Sequence, residues 1–398
     1  MLILLLQLTH MLEKYPASFF ILCIIALITM ISTSLINPLL SIFAQQVGAS
    51  GIQIGLVVAG YWMSRILLEI PSGVISIRYG YHLPMVVGLL LTTVGTFLNA
   101  LALDPLQLLL TRVLQGFGAP LFFAISMTFI TQLFDAKNRG GAMGLFQGIE
   151  FVGTILGSSF SGYVIASLDF RMSLILCSIL SGIALTLLLL TPNIKRHRSV
   201  TGSASLSLSH LKGVFKTKNL LIVSAATFTE FLMTNGVLFT VFPIYAKGIL
   251  GFTLQGIGLI MGARSVGFVI AMFAMGAIAD RIGRKPILVF GVVFTGLLTL
   301  LMSFATSFEI LILVIFCSGI STGAIWVVSP VIAVESVEPS YRGAAIGVYR
   351  TFFDLGSIVG PIIMMGIQQS FGIVACFASA AIFLWFNIPS TLKMVEKD

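Results

Sequence analysis

The stretch Arg139-Gly140-Gly141-Ala142-Met143-Gly144 recurs 203 residues later as Arg342-Gly343-Ala344-Ala345-Ile346-Gly347. The same ungapped offset aligns further positions on both sides: Gly73, Arg78 and Gly80 with Gly276, Arg281 and Gly283, and Gly153, Ile155 and Gly157 with Gly356, Ile358 and Gly360. Arginine and glycine held together at one offset over about 90 residues indicate an internal repeat. The sequence therefore predicts two structural copies within one chain.

The composition places both copies in a membrane. Of 398 residues, 58% are hydrophobic and only 9% are charged, whereas soluble domains carry about 25% charged residues. This excludes most soluble enzymes, nucleic-acid binders and secreted modules. The net charge of +8 is spread too thinly to follow a phosphate backbone, so we expect no nucleic-acid partner. The four cysteines lie in apolar runs at spacings that match neither a zinc site nor a redox pair, and we expect no metal and no cofactor.

Six apolar runs, a polar stretch and six more apolar runs indicate an all-α polytopic protein, with twelve transmembrane helices in two pseudo-symmetric six-helix bundles. The runs cover 17–44, 52–76, 83–103, 105–132, 141–166 and 172–191, then 219–246, 253–279, 286–306, 308–334, 343–368 and 371–391. This order predicts an N-terminal bundle over 1–191, a linker over 192–218 and a C-terminal bundle over 219–398.

Basic residues indicate the orientation, because positively charged loops resist crossing the membrane during insertion. Sixteen of the 22 Lys and Arg residues fall in loops or termini on one side, against Arg171 and Lys247 on the other. We therefore expect both termini and the linker on the cytoplasmic side of a cell membrane, plasma or inner. Nothing in the chain demands a protein partner, so we expect a monomer surrounded by the lipid bilayer.

Charged side chains inside the predicted spans are candidate functional residues, because burying a charge in hydrocarbon is costly. Arg65 and Glu69 are four residues apart on the second span, and Arg350 and Asp354 are four apart on the eleventh. Residues at this spacing share one face of a helix. Each pair can therefore share a helix face, and a pair that neutralises itself is cheaper to bury, which we expect for Arg65 and Glu69.

Two further acids lie near mid-span without a local counter-ion, Glu150 on the fifth span and Glu230 on the seventh. Burial disfavours the charged form of a carboxyl group, so both are candidate proton carriers. Arg264, in the middle of the eighth span, is the candidate partner for one of them.

Polar interruptions of two apolar runs point to a binding site. Asn37-Pro38 and Asn235-Gly236 interrupt the first and seventh spans near their middles, at near-equivalent positions of the repeat. Broken helices at corresponding positions of two repeats often mark a substrate site. The 32 phenylalanines and 16 methionines would give a cavity there apolar, adaptable walls.

The segment Gly276-Ala-Ile-Ala-Asp280-Arg281-Ile-Gly283-Arg284-Lys285 resembles the loop signature of the major facilitator superfamily. The copy in the first half keeps Gly73, Arg78 and Gly80 but has Ile77 in place of the acid. The resemblance implies a cytoplasmic gate that steadies one transport state. The gate residues it implies, with neighbouring charges, are Glu69, Gly73, Arg78, Gly80, Gly276, Asp280, Arg281, Gly283, Arg284, Glu335 and Arg342.

A second resemblance to the same superfamily lies in the fourth span, over Leu110–Pro120. Arg112, Gln115 and the small residues after them match a family pattern that is associated with proton transfer. The resemblance implies that Arg112 meets a carboxyl group and favours its ionised form. A purely structural role for this arginine stays open.

The fifth span resembles the glycine pattern of the drug and proton antiporter branch. It departs from that pattern at Ser158 and Ser161, where proline and glycine are usual. The small residues expected to pack helices closely are Gly144, Gly153, Gly157 and Gly162, with Gly347, Gly356, Gly360 and Pro361 in the second half. The alternative is ordinary helix packing that says nothing about the direction of transport.

The residues and the resemblance together predict a secondary active transporter, with proton-coupled export of small lipophilic or cationic compounds by alternating access. Glu150, Glu230 or Asp354 would carry the proton. The alternative is a proton-coupled uptake symporter for a sugar, an organic acid or an amino acid, and facilitation without a proton also stays open. Enzymatic activity is not expected, because the four histidines lie at the N-terminus or in loops: His10, His82, His197 and His210.

Overall fold

The structure, a computed structural model, describes residues 15–69, 71–191, 217–338 and 341–394. These ranges are helical and contain no strand. The N-terminal stretch before residue 15 and most of the predicted linker, 192–216, lie outside the described residues.

Twelve helices lie within the described ranges, and ten of them are long and apolar enough to cross a membrane. The first six are α1 (Ala17–Gln46), α2 (Ile52–Glu69), α3 (Pro71–Tyr79), α4 (His82–Leu101), α5 (Pro105–Leu133) and α6 (Ala136–Leu189). The others are α7 (Lys218–Gly248), α8 (Leu254–Ile282), α9 (Arg284–Met302), α10 (Phe308–Glu335), α11 (Arg342–Trp385) and α12 (Ile388–Leu392). The predicted span 52–76 covers α2 and the start of α3, which lie on either side of residue 70, outside the described residues.

Helix α6 turns back on itself. Its 54 residues would form a rod of about 80 Å, far longer than the roughly 30 Å hydrocarbon core. At Asp169 the backbone has a φ of 64°, outside the helical region. Gly157 packs against Ile31 of α1, while Cys177 accepts a hydrogen bond from the adjacent Ser32 at 2.8 Å. Positions on both sides of Asp169 therefore lie at one level of α1, and α6 has two arms, 136–168 and 170–189.

Helix α11 turns back in the same way at Gly372, where φ is 84°. The Cys376 Sγ lies 3.4 Å from the Met364 carbonyl oxygen, although twelve residues separate them along the chain. A straight helix would place those residues about 18 Å apart. With two arms each for α6 and α11, the ten long helices supply the twelve predicted passes.

The hydrophobic cores show how the two bundles meet. One core contains residues of both bundles, with Phe43 of α1 and Phe242 of α7 among its fully buried members. At the opposite end each bundle has a core of its own, one around Phe19 and Phe129 and the other around Leu220. The bundles are thus joined at one end and separate at the other.

Glycines bring helices together at repeat-related positions. Gly153 and Gly157, on the first arm of α6, lie against the α1 backbone, and Gly356 and Gly360 on α11 lie against the α7 backbone. Gly162 lies against Leu254 of α8. Two glycines of the sequence pattern, Gly144 and Gly347, have open space where a side chain would begin.

Two alanine substitutions on α11 are expected to change stability in opposite directions. In Gly356→Ala the new methyl group would collide with the Phe228 backbone oxygen, which costs about 1–3 kcal/mol. Gly347→Ala meets no atom within 4 Å and gains about 1 kcal/mol of helix propensity. Thermal unfolding of the purified protein in detergent measures both. A lower unfolding temperature for Gly347→Ala than for Gly356→Ala would contradict this packing.

Candidate functional site

A cavity of about 240 Å³ lies where the two bundles meet. The first bundle contributes residues of α2 and of the first arm of α6, and the second contributes residues of α7, α8, α10 and α11. Its walls are mainly aromatic, with the rings of Trp62, Phe151, Phe231, Phe239, Phe268, Trp326 and Phe353. Such walls suit a ligand with apolar or aromatic surface.

Three polar side chains of the cavity wall form a hydrogen-bonded chain. The Thr234 hydroxyl donates to Glu230 Oε1 at 2.8 Å and accepts from Arg264 Nη2 at 3.1 Å. Glu230 is 3% exposed and Arg264 is 8% exposed. The buried acid and the buried cation are therefore compensated through one hydroxyl, and the predicted partnership of Arg264 with a mid-span acid involves Glu230.

The backbone next to this chain is irregular. Residues Thr234–Val241 of α7 form a π-helical segment, in which the Thr240 hydroxyl donates to the Asn235 carbonyl oxygen at 2.6 Å. In α1 the segment Asn37–Leu39 is a 3₁₀ turn. The interruptions predicted in the two corresponding helices are thus both present, but only the one in α7 borders the cavity. π-Helical segments are frequent at functional sites.

Arg112 is buried in a second polar network, inside the first bundle. It donates to Gln115 Oε1 at 2.8 Å and to Asn37 Oδ1 at 3.4 Å, and its guanidinium lies 5.2 Å from the Tyr61 ring centroid. Gln115 in turn donates to Thr96 at 2.9 Å. Within the described ranges no carboxylate lies within 4 Å of Arg112, so neutral oxygens and a ring compensate its charge in this conformation.

Four charges join the bundles across the contact between α2 and α11. Arg65 lies 3.3 Å from Asp354 and 3.5 Å from Glu69, and Arg350 lies 2.8 Å from Glu69. We call these residues the ion-pair quartet. Arg65 and Glu69 lie close enough to neutralise each other along one helix, as expected, whereas Arg350 pairs with Glu69 of the other bundle. Close packing of α2 against α11 makes the cross-bundle partners accessible.

The two mid-span acids occupy different places. Glu230 lines the cavity, and Glu150, on the first arm of α6, does not. Glu150 is half-buried, and its described electrostatic partners are Arg350 and Arg65 of the quartet. The structure therefore assigns the two acids to separate groups of charges.

Most of the predicted gate residues lie at the end where the bundles are separate. Arg284 forms an ion pair with Glu335, which joins the start of α9 to the end of α10 within one bundle. Asp280 and Arg281 are exposed at the end of α8. Gly80 and Gly283 have φ values of 76° and 91°, as a tight turn between helices requires.

The remaining gate residues contact no residue of the opposite bundle in any described ion pair. Arg78 lies over the ring of Tyr79, 5.4 Å from its centroid. Gly73 is on α3, Gly276 is on α8, and Arg342 begins α11 with its side chain exposed. Glu69, by contrast, belongs to the quartet. A gate formed by the other residues stays a prediction for a different conformation.

Sequence reasoning missed Thr234 and the aromatic residues beside the charges. Thr234 is four residues after Glu230, the spacing that places two side chains on one helix face. Trp62 precedes Arg65 by three residues, and Phe353 adjoins Asp354. A search for polar and aromatic neighbours of each buried charge at helical spacing could have found them.

Two related six-pass bundles around a partly polar cavity define a class of membrane protein, the secondary transporters. Comparison with known proteins identifies the family. The family model described as Major Facilitator Superfamily matches residues 22–256 and 231–395. The chain therefore belongs to the Major Facilitator Superfamily, and it is a multi-pass membrane transporter.

The similar proteins described next are distant from this chain in sequence. The multidrug resistance protein MdtG of Citrobacter koseri is 24% identical over 365 residues, 89% of each chain. Among solved structures, a bacterial homologue of the human lysosomal transporter Spinster, in an inward-facing and occupied conformation, has a TM-score of 0.79 at 14% identity, over 94% of this chain and 96% of that one. The nucleoside transporter NupG has a TM-score of 0.76 at 15% identity, over 95% and 98%.

Removal of the Thr234 hydroxyl is expected to destabilise the protein. In Thr234→Val both Glu230 and Arg264 lose a buried hydrogen bond, at a cost of about 1–3 kcal/mol. Thr234→Ser keeps the hydroxyl, and its unfolding temperature should be close to that of the unsubstituted protein. Thr154→Val is the matched control, since Thr154 also lines the cavity but donates only to a backbone carbonyl oxygen. Equal thermal unfolding of the two valine variants would contradict the three-residue chain.

Proposed function

We propose that the protein exports small lipophilic or cationic compounds in exchange for protons, by alternating access of the cavity to the two sides of the membrane. The observation that carries the proposal is the chain Glu230–Thr234–Arg264 in the wall of an aromatic cavity between the bundles. The name of the relative MdtG, a multidrug resistance protein, supports the same class of cargo.

Glu230 is the proposed exchange site. A proton and a cationic group of the cargo compete for one buried carboxylate, because burial of two positive charges beside Arg264 would be costly. The aromatic walls bind apolar surface and can hold a cation over their rings. Cargo therefore enters when Glu230 is ionised and leaves when a proton replaces it.

Arg264 and Thr234 hold the ionised form of Glu230 ready for exchange. The Thr234 hydroxyl donates a hydrogen bond to one carboxylate oxygen and accepts one from the Arg264 guanidinium. The second carboxylate oxygen of Glu230 is the proposed contact for a proton or a cationic cargo. This arrangement lets one side chain alternate between two positively charged ligands.

The conformation described here is the proposed inward-facing state. The bundles share a core at the end that the positive charges assign to the outside, and have separate cores at the end that they assign to the cytoplasm. The fold resembles a Spinster homologue whose structure is inward-facing. Both termini are proposed to be cytoplasmic, and a monomer is the proposed working unit, because one chain supplies the whole cavity wall.

Uptake of a polar nutrient together with a proton is the second candidate function. The fold is shared with NupG, a nucleoside transporter, and the buried Arg264 could meet an acceptor group of such a cargo. The mainly aromatic wall favours the export proposal, because a sugar or an amino acid needs more polar partners than this cavity offers.

Proton movement in proteoliposomes under an imposed pH gradient tests the proposal. A lipophilic cation such as tetraphenylphosphonium should drive proton release, and Glu230→Gln should abolish it because an amide cannot exchange a proton. Glu150→Gln is the matched control and should retain exchange, since Glu150 lies outside the cavity wall.

Other cargoes in the same vesicles separate the alternatives. Proton entry that accompanies a sugar, an organic acid or an amino acid would establish the symporter instead. Proton exchange that survives in Glu230→Gln but is lost in Glu150→Gln would show that the proton site lies outside the cavity, at Glu150.

A further inference from the structure

The bundles meet along two seams. The first, the α2/α11 seam, places Gly55 beside Pro361 and the ring of Trp62 5.4 Å from that of Phe353. Nearer the end where the bundles separate, it is held by the ion-pair quartet of Arg65, Glu69, Arg350 and Asp354.

The second seam joins the first arm of α6 to α8, and we call it the α6/α8 seam. Gly162 lies against Gly258, and the Ser158 hydroxyl lies 3.0 Å from that of Ser265. Toward the end where the bundles separate, the rings of Phe151 and Phe268 follow, 5.5 Å apart. No ion pair among the described residues crosses this seam.

The internal repeat relates the two seams position by position. The offset of 203 residues places Arg65 on Phe268 and Phe151 on Asp354. The cross-bundle pair of Arg65 and Asp354 therefore stands where the other seam has a pair of rings. Since rings close one copy of this contact, the fold does not need charges there, and the ion pair calls for a different explanation.

Arg65 also contacts the cavity wall. Its guanidinium lies 5.0 Å from the ring centroid of Trp62 and 5.0 Å from that of Phe353, and both rings line the cavity. One side chain thus touches the surface on which cargo would rest and the acid that holds the opposite bundle. A shift of the cavity-lining rings, or the loss of the charge on Asp354, would therefore change where the Arg65 side chain can lie.

The charges around Asp354 are unequal in number. Arg65 and Glu69 face it from α2 and Arg350 from its own helix, with Glu150 of α6 in electrostatic range of both arginines. Glu230 of α7 is compensated separately by Arg264. Three acids, counting Asp354, therefore share two cations. Asp354 is 0% exposed, so a proton taken up there removes the most deeply buried of the three negative charges.

We propose that Arg65 is a positioning residue that couples the cavity to the α2/α11 seam. When Asp354 takes a proton from water, Arg65 loses its partner in the opposite bundle, and the bundles leave the present arrangement by rocking on the α6/α8 seam. This inference rests on the alternating access of the proposed function and adds a protonation site distinct from Glu230.

Distances between spin labels test the inference without any cargo. With the four native cysteines replaced, Tyr79→Cys and Ile282→Cys place labels at exposed, repeat-equivalent positions on the two bundles, at the end with separate cores. The label-to-label distance should shorten from about pH 9 to about pH 5, a range that covers the upper tail of carboxyl titration found at buried positions. Asp354→Asn, which mimics the protonated acid, should show the short distance at both pH values.

The double variant Arg65→Phe with Asp354→Phe copies the ring pair of the other seam. It should fold and lose the pH dependence of the distance. Arg65→Lys keeps the charge but lacks the planar group that stacks on two rings. The label-to-label distance in this variant should therefore still depend on pH but should not change when cargo is added. Should the double variant fail to fold, Asp354→Asn alone decides.

A distance in Asp354→Asn that changes with pH as in the unsubstituted protein would overturn the inference. Persistent pH dependence in the folded double variant would do the same. Glu230→Gln separates the two proposals, because it should lose proton exchange and still show the pH-dependent distance. Loss of proton exchange alone therefore reports on the Glu230 site in the cavity. Loss of the pH-dependent distance change reports on the coupling through Arg65.

Discussion

Every charge that this chain buries must find compensation inside the protein, because the lipid around the helices offers neither water nor counter-ions. The three groups of buried charges meet this requirement differently. Arg264 reaches Glu230 through the Thr234 hydroxyl within one bundle, Arg112 relies on neutral oxygens and a ring, and the quartet pairs acids and cations of opposite bundles. Only the last kind of compensation makes the relative position of the bundles depend on charge.

The repeat shows where the two halves have diverged. Close glycine contacts recur at the same offset, Gly157 against α1 and Gly360 against α7, so these contacts belong to the fold. The buried charges of the site and the seam do not recur: Arg264 corresponds to Tyr61, and Asp354 corresponds to Phe151. The proposed chemistry therefore lies in the departures from symmetry, and it is concentrated in α7, α8 and the α2/α11 seam.

The fold could be predicted from the sequence because the repeat, the apolar runs and the basic loops all agree. The turn at Asp169 also lies where the sequence indicated one, between the predicted runs 141–166 and 172–191. At the site, the mid-span positions of Glu230 and Arg264 suggested partners but not the hydroxyl between them. The spacing of Arg350 and Asp354 allows a pair within one helix, and only the packing of α2 against α11 shows that Arg350 binds Glu69 instead.

The central proposal is that cargo and a proton compete for Glu230, and proton release by the purified protein tests it most directly. Trp62 and Trp326 line the cavity, whereas Trp385 donates to the Val293 carbonyl oxygen elsewhere, so quenching of tryptophan fluorescence in a Trp385→Phe background reports cargo binding. In weakly buffered detergent solution, binding of a lipophilic cation should release up to about one proton per protein, as expected for one titrating carboxyl. The measurement is made at a pH at which Glu230 is protonated before cargo is added. Saturable quenching without proton release under that condition would contradict the account.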